Sequence, residues 1–360
     1  MIEKSIYSVN HFRDILPTSI KPDRVVNLNG KPFLFFSGTA YLGMNANPEF
    51  TRLMEEGMRI YGSNYGSSRS GNFTIPVYEE AETAMAKHFK ADAALTVSSG
   101  FMAAQLVVRY FEDKAAFIYA PDCHPALFRN QADSIAGNYR NWINALPGLL
   151  QQLPDENIVI LTNSIDPLKV NTYDFSWISQ LPVNKKITVI IDDSHGLGIL
   201  GKTGEGVSGL LPEAPSVDII IVSSLAKAMG MSGGVILAKS SQLSALRTSP
   251  FFTAASPMAP AFLYAYLNAE ELYKKERADL FRNIHQLQQG LFSLTALRYI
   301  HNYPVIFSKD NQLAAKLFEQ QILISSFAYP GPEDDKITRI IVSSRHTEED
   351  INFLLGKLVD

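Results

Sequence analysis

The chain is poor in the residues on which several classes of protein depend. Its 360 residues include a single cysteine, Cys123, so an internal disulfide is impossible, and no Cys/His cluster predicts a metal site. Its 32 Lys and Arg residues against 36 Asp and Glu give a net charge of −4, which argues against a nucleic-acid partner. Apolar runs such as residues 187–191 are far shorter than a membrane span. Because the N-terminus also lacks the apolar core of a signal peptide, we expect a cytoplasmic protein without a membrane partner.

Short apolar segments rich in β-branched residues alternate with longer amphipathic segments over the first 250 residues. The pattern predicts strands at 93–97, 115–119, 158–162, 187–192, 218–223 and 233–238. Helices are predicted between them, for example at 101–111 and 172–180. Strands that are apolar on both faces and separated by helices are typical of a mainly parallel α/β sheet.

A different pattern follows after about residue 250. It predicts a long helix from 259 to about 291, strands at 303–308, 323–327 and 337–343, a helix at 312–321, and a last helix capped by Thr347. We interpret this as a smaller α+β domain. The predicted organisation is an N-terminal arm (1–48) that belongs partly to this domain, a large domain (49–248) and the small domain itself (249–360).

The segment from Asp218 to Gly234 is the most informative stretch of the sequence. A buried strand leads into Ser224-Leu-Ala-Lys227 and then into a glycine-rich exit with Gly233-Gly234. A lysine that follows a buried strand, among small neighbours, is a candidate for a lowered pKa and covalent amine chemistry. Spacing alone favours the simpler interpretation of a surface lysine that caps a loop.

Two other predicted strands also end in polar residues. Asp192, Asp193 and His195 follow one of them, and open α/β sheets bind ligands beyond the carboxyl ends of their strands. Asp192 continues the apolar run, so we expect it to be the inward carboxylate, paired with a cation such as a protonated heterocyclic nitrogen. The interpretation that Asp192 and Asp193 only cap a turn is about as well supported by the sequence. Ser99-Gly100-Phe101 joins a strand to a helix and suits a phosphate, although an N-cap is the commoner role of such a serine.

Together these motifs resemble the α-oxoamine synthase family of pyridoxal-phosphate enzymes, which have the aspartate-aminotransferase fold. The resemblance runs from about residue 35 to 358 and also includes Ala40-Tyr41-Leu42-Gly43 and residues 62–71 and 339–351. Its Asp-x-x-His and Ser-x-x-Lys motifs are the specific ones. It implies a fold-type I α/β enzyme with a mainly parallel seven-stranded sheet flanked by helices, a smaller α+β domain, and pyridoxal 5′-phosphate as cofactor.

The resemblance also implies a role for each matched residue. Lys227 would bind the cofactor as a Schiff base and move protons at the substrate α-carbon. Asp192 would pair with the pyridinium nitrogen, which keeps the ring an electron acceptor. His195 would hydrogen-bond the phenolic oxygen of the cofactor or the substrate carbonyl, and His124 would stack on the pyridine ring.

Further matched positions would hold the phosphate and the substrate. Ser99 and the amides of Gly100 and Phe101 would bind the phosphate together with Ser224. Thr253 matches a phosphate ligand that the family takes from the partner subunit, which implies a homodimer with the active site at its interface. Arg339 matches the arginine that binds the substrate carboxylate. Thr39 stands at a substrate-binding position where the family usually has asparagine.

The implied reaction is an acyl transfer that condenses an amino acid with an acyl thioester of coenzyme A or acyl-carrier protein. The product is an α-amino ketone, usually formed with decarboxylation. Departures from the family pattern at Thr39, Ala126 and residues 163–168 keep two alternatives open: a related aminotransferase or threonine-aldolase-like lyase and, ranked last, a non-catalytic descendant. No Gly-x-Gly-x-x-Gly follows the first predicted strand, which excludes a dinucleotide-binding enzyme.

Overall fold

The computed structural model describes Thr18 and residues 22–153, 157–291, 295–329 and 333–359. These residues form two compact units. The large unit consists of Thr39–Pro167 and Asn171–Phe281, and the small unit takes the described residues of Met1–Gly38, Leu168–Val170 and Arg282–Asp360. None of the described helices is long and apolar enough to cross a membrane.

The described residues contain strands and α-helices that we number in chain order. The strands are β1 (Val25–Leu28), β2 (Lys31–Phe36), β3 (Ala93–Val97), β4 (Ala116–Tyr119), β5 (Ile158–Asn163), β6 (Ile165–Asp166), β7 (Asn171–Thr172), β8 (Ile187–Asp192), β9 (Val217–Ser224), β10 (Gly234–Ala238), β11 (Leu297–Tyr299), β12 (Val305–Ser308), β13 (Ile322–Ala328) and β14 (Lys336–Ile341). The α-helices are α1 (Pro48–Tyr61), α2 (Val77–His88), α3 (Gly100–Phe111), α4 (Tyr139–Gln152), α5 (Ser240–Arg247), α6 (Pro250–Thr253), α7 (Pro260–Leu267), α8 (Glu270–Gly290), α9 (Leu313–Glu319) and α10 (Glu348–Val359).

A six-stranded sheet in the order β3-β10-β9-β8-β5-β4 forms the core of the large unit. Neighbours from β4 to β9 are parallel, whereas β10 is antiparallel to both β9 and β3. β5 and β8 are buried along their whole length because helices cover both faces of such a sheet. The six strands predicted from the sequence are therefore confirmed, and the seven-stranded count implied by the resemblance is wrong for the described residues.

Two predicted helices differ from the observed elements because side chains satisfy the backbone locally. The predicted helix at 172–180 is instead the end of β7, three residues without regular structure, and a short 3₁₀-helix at Ser176–Gln180. Asp174 accepts hydrogen bonds from the backbone and the hydroxyl of Ser176, which competes with helix formation. The long predicted helix after residue 259 is divided into α7 and α8, where the Asn268 side chain donates to the carbonyl oxygen of Tyr264.

The small unit is built on a second six-stranded sheet, in the order β1-β2-β13-β14-β12-β11. Only the pairing of β13 with β2 is parallel. The predicted cap of α10 is confirmed, since the Asp350 amide donates to the Thr347 hydroxyl and the Thr347 amide donates to the Asp350 carboxylate. His346 is buried in this unit and stacks on Phe36 at 3.9 Å between ring centroids.

Candidate active site

Polar residues gather at one edge of the large sheet because five of its strands end there. β3, β4, β5, β8 and β9 run in the same direction, and β10 begins at this edge. Three of the predicted site segments follow these strand ends: Ser99 after β3, Asp192 at the end of β8 and Ser224 at the end of β9. The structure therefore brings together motifs that are spread over more than a hundred residues of the sequence.

Lys227 and His195 are in direct contact at this edge. The Lys227 Nζ lies 2.7 Å from the His195 Nε2, and the His195 Nδ1 lies 2.8 Å from the hydroxyl of the buried Tyr41. A neutral imidazole donates from one nitrogen and accepts at the other, so the protonation of Lys227 and the hydrogen bond of Tyr41 are linked through one ring. Tyr41 belongs to one of the motifs of the resemblance, but no role in the site was predicted for it.

Asp192 lies beside His124 on the same edge of the sheet. Its side chain is 8% exposed, its Oδ1 accepts a hydrogen bond from the Ser194 amide, and its Oδ2 is 3.8 Å from the His124 Nδ1. That nitrogen already accepts a hydrogen bond from the Ala126 amide, which places the ring proton on Nε2. The His124 side chain is 47% exposed, yet desolvation lowers its pKa. The negative charge of Asp192 acts in the opposite direction but does not outweigh this effect. His124 is therefore a neutral ring beside a carboxylate, not half of an ion pair.

The more deeply buried of the two adjacent carboxyl groups belongs to Asp193, although we expected Asp192 to be the inward one; both are buried. Asp193 is fully buried, and its Oδ2 accepts a hydrogen bond from the Val207 amide at 2.8 Å. A Cβ atom at Gly196 or Gly206 would lie 2.0 or 2.1 Å from its carboxylate oxygens, so only glycine fits at those positions. Burial raises the pKa of Asp193 to about 7. This residue holds the 196–206 loop closed.

The start of α3 packs tightly on the end of β9. The Ser99 hydroxyl caps α3 by accepting from the Met102 amide, as the N-cap interpretation predicts. A Cβ at Gly100 would lie 2.5 Å from the Ser224 Cβ, and one at Gly234 would lie 2.2 Å from the Ser99 carbonyl oxygen. The glycines thus let the first turn of α3 approach Ser224, while the Phe101 side chain remains 63% exposed.

The other three predicted residues lie in other elements of the fold. Arg339 lies in β14 of the small unit, where it is buried with its guanidinium 5.3 Å from the Phe327 ring centroid. Thr39 is half-buried at the beginning of the large unit. Thr253 ends α6, its hydroxyl donates to the Pro250 carbonyl oxygen, and its own carbonyl accepts from the Ser68 hydroxyl.

The sequence pattern of the family described as "Aminotransferase class I and II" matches residues 32–358 of this chain. The chain belongs to the aminotransferase class I and II family. This membership agrees with the sheet order, with the buried Asp192 and with the lysine that follows β9. Among the described residues, no group of His, Cys, Asp or Glu is arranged to hold a metal ion.

Several relatives of this aminotransferase class I and II chain match it along nearly its whole length. It is 27% identical to the 8-amino-7-oxononanoate synthase of Petrotoga mobilis over 355 residues, which cover 92% of this chain and 89% of that protein. It is 28% identical to the 8-amino-7-oxononanoate synthase of Cronobacter sakazakii, covering 90% and 88%. The serine palmitoyltransferase structure of Sphingomonas wittichii matches with a TM-score of 0.82 at 18% identity, covering 95% and 90%, and shows the shared fold.

The structure also identifies residues that sequence reasoning missed within this family member. Besides Tyr41, Ser194 contributes, because its hydroxyl accepts from the Ser224 amide and so ties the ends of β8 and β9 together. Asn163, in the shortened segment 163–168, contacts the backbone around His124. Asn163 ends β5 and Ser194 follows β8, so these two share a strand-end position with the predicted residues, but a hydroxyl or amide there is too common to be selected by itself. Tyr41 lies in a turn and carries no such signal.

Proposed function

We propose that this chain binds pyridoxal 5′-phosphate and uses it to condense an amino acid with an acyl thioester, giving an α-amino ketone. The thioester would be one of coenzyme A or an acyl-carrier protein, and carbon dioxide would usually be lost. The relatives named above as 8-amino-7-oxononanoate synthases and the structural likeness to serine palmitoyltransferase support this reaction class. The observation that carries the proposal is the Lys227–His195 contact at the end of β9, with the buried carboxylate of Asp192 at the end of β8.

The residues present fit the proposed cofactor. A buried carboxylate is costly unless a cation meets it, and the ring nitrogen of a protonated pyridine would be such a partner for Asp192. The first amides of a helix lack partners within the helix, so those of Gly100 and Phe101 suit a phosphate, as does the adjacent Ser224. His124 presents a neutral, half-exposed ring next to Asp192 and would stack on the pyridine. Lys227 would hold the cofactor through its amine.

The cofactor supplies an electron sink for the electron pair left when the amino acid loses a group at its α-carbon. Lys227 would take and return the proton at that carbon. The 2.7 Å contact with His195 gives its amine a polar partner, and the hydrogen bond of Tyr41 orients the imidazole. His195 would also hydrogen-bond the phenolic oxygen of the cofactor or the carbonyl of the substrate, while Arg339 would bind the substrate carboxylate and Thr39 would line the substrate site.

We further propose that the active protein is a cytoplasmic homodimer in which Thr253 of the partner subunit completes the phosphate site. Large apolar side chains are exposed on the large unit, among them Met58, Ile60, Phe73, Phe101 and Phe251. Their burial against a second copy of the chain would offset the translational and rotational entropy that is lost on association. The only cysteine, Cys123, is buried, so the fold uses no disulfide. Sedimentation of the purified chain would test the dimer.

The first experiment compares the visible absorption spectra of the wild type, Lys227→Ala and Lys186→Ala after addition of pyridoxal 5′-phosphate. Lys186 is an exposed lysine in the same unit and serves as the matched control. We expect a visible band in the wild type and in K186A that is absent from K227A. Amino acids that bind should shift this band, and the same proteins are then assayed for thiol release from acyl-coenzyme A.

The outcomes separate the candidate reactions. Thiol release that depends on both an amino acid and Lys227 supports the condensation. Transfer of the amino group to a keto acid without thiol release would assign the site to an aminotransferase instead. A wild-type spectrum without any cofactor band would refute the proposal as a whole.

A further inference from the structure

One side chain bridges the backbone on both sides of Cys123, in the turn that carries His124. The Asn163 Oδ1 accepts a hydrogen bond from the His124 amide at 3.0 Å, and the Asn163 Nδ2 donates to the Asp122 carbonyl oxygen at 2.8 Å. Asn163 is buried, whereas Asp122 and His124 are exposed, so both bonds are partly buried. A buried amide that satisfies a donor and an acceptor two residues apart fixes that segment much as a neighbouring strand would.

The bridged turn needs such support because its backbone is strained. Asp122 has φ of 57°, in the left-handed region that residues other than glycine rarely adopt. Its amide donates to the Ile135 carbonyl oxygen, and the Cys123 thiol donates to the Leu161 carbonyl oxygen at 3.1 Å. Asn163 completes this set at the point where the chain turns to present His124.

The same residue is also linked to the other side of the site. Asn163 ends β5 and is the register partner of Asp192 at the end of β8. The next amide, that of Ser164, donates to the Asp192 carbonyl oxygen at 2.8 Å. Asn163 therefore joins the backbone of the strand that carries the carboxylate to the turn that carries the imidazole.

We propose that Asn163 is a positioning residue that holds the His124 ring in place beside Asp192. The benefit of this positioning rests on the proposed function, in which His124 stacks on the cofactor. The hydrogen-bonded bridge itself does not require the cofactor. Asparagine is the side chain the turn requires, since aspartate lacks the donor for the Asp122 carbonyl and alanine lacks both groups. Sequence comparison of motifs marks this position only as part of a shortened segment.

The test uses three variants: Asn163→Ala, Asn163→Asp and Asn157→Ala. Asn157 precedes the same strand at its opposite end and donates one hydrogen bond to the Lys114 carbonyl oxygen, so it is a matched control. The first readout is the NMR titration of the His124 ring in cofactor-free protein, with its signal identified by its loss in His124→Gln. The charged groups that face this ring are Asp192 and Lys227. The second readout is the affinity for pyridoxal 5′-phosphate, measured from the visible band.

We expect the His124 pKa, lowered in the wild type, to rise in both Asn163 variants and to stay unchanged in N157A. In N163D the added carboxylate also stabilises the imidazolium, so its shift should be the larger one. Loss of the two hydrogen bonds should weaken cofactor binding about tenfold in N163A. If N163A does not fold, the uncharged Asn163→Leu, which also lacks both hydrogen-bonding groups, decides the question.

An unchanged His124 titration in a folded Asn163 variant would overturn the proposal, even if its melting temperature fell, because Asn163 would then be merely structural. This result is distinguishable from a failure of the proposed function. Absence of a cofactor band in the wild type would leave the titration of the cofactor-free protein intact as a test of the bridge.

Discussion

Replacement of Asp193 by asparagine should change how the stability of this protein depends on pH. Asp193 is fully buried, and its carboxyl group is enclosed by Gly196 and Gly206. Asparagine has the same shape, and its carbonyl oxygen can still accept the hydrogen bond of the Val207 amide. The substitution therefore removes the ionisation and leaves the packing of the loop in place.

The size and sign of the effect follow from the pKa of this group. Desolvation by burial, with a smaller contribution from the charge of Asp192, raises the pKa of Asp193 from 3.8 to about 7. Between these two values the folded state binds the proton more tightly than the unfolded state does, so this group loses stabilisation as the pH rises from about 4 to 7. A shift of about three pKa units corresponds to roughly 4 kcal/mol of unfolding free energy at pH 8 relative to pH 4.

The assay is urea unfolding of the wild type and D193N at several pH values from 5 to 8, followed by fluorescence. We expect the stability of D193N relative to the wild type to increase from pH 5 to about 7 and then to level off toward pH 8. Asp174→Asn is the control, because Asp174 is exposed and hydrogen-bonds to Ser176, which lowers its pKa. A difference between D193N and the wild type that is constant from pH 5 to 8 would refute the reasoning, since Asp193 would then be ionised in the folded protein throughout.

Three further substitutions test features of the two units separately. His346→Gln should reduce the loss of unfolding free energy at acid pH by about 3 kcal/mol, because burial lowers the pKa of His346 to about 4 and the stabilisation it gives above pH 6.5 is lost as the pH falls toward 4. Urea midpoints of the wild type and H346Q at pH 7 and 4.5 would check this. Equal losses of stability in the wild type and H346Q would contradict it. Gly100→Ala should destabilise the protein by about 1–3 kcal/mol, because the new Cβ would overlap Ser224. Gly148→Ala, on the open face of α4, should instead stabilise it by roughly 0.5–1 kcal/mol. Thermal unfolding would compare the two variants, and equal effects would contradict the steric argument.

Much of the large sheet and its family were predictable from local patterns. Buried parallel strands such as β5 and β8 are continuous apolar runs, and all six strands of this sheet were located from such runs. The resemblance drawn from the motifs around Asp192 and Lys227 is confirmed by the family match over residues 32–358. Residues at strand ends are brought together by the parallel direction of the strands, which is why motifs far apart in sequence could be assigned to one site.

The features that the sequence did not predict depend on contacts between distant side chains and backbone groups. The antiparallel direction of β10 is set by its pairing with β9 and β3, not by its composition. The division between α7 and α8 lies at Asn268, where the side-chain amide and the backbone amide both bond back to the Tyr264 carbonyl oxygen. Asp193 and Asn163 were missed as structural groups because their partners, the Val207 amide and the Asp122–His124 turn, are adjacent only in the folded chain.

The position of β10 has a consequence for the order in which the chain is assembled during synthesis. β3 is the first strand of the large sheet to leave the ribosome, yet in that sheet it pairs only with β10, as in the register of Val97 with Gly234. The backbone amides and carbonyls with which β3 pairs to β10 therefore have no partner strand until more than a hundred further residues have been synthesised. Such long-range pairing slows folding, and a nascent chain that stalls before Gly234 exposes an apolar strand edge that invites aggregation.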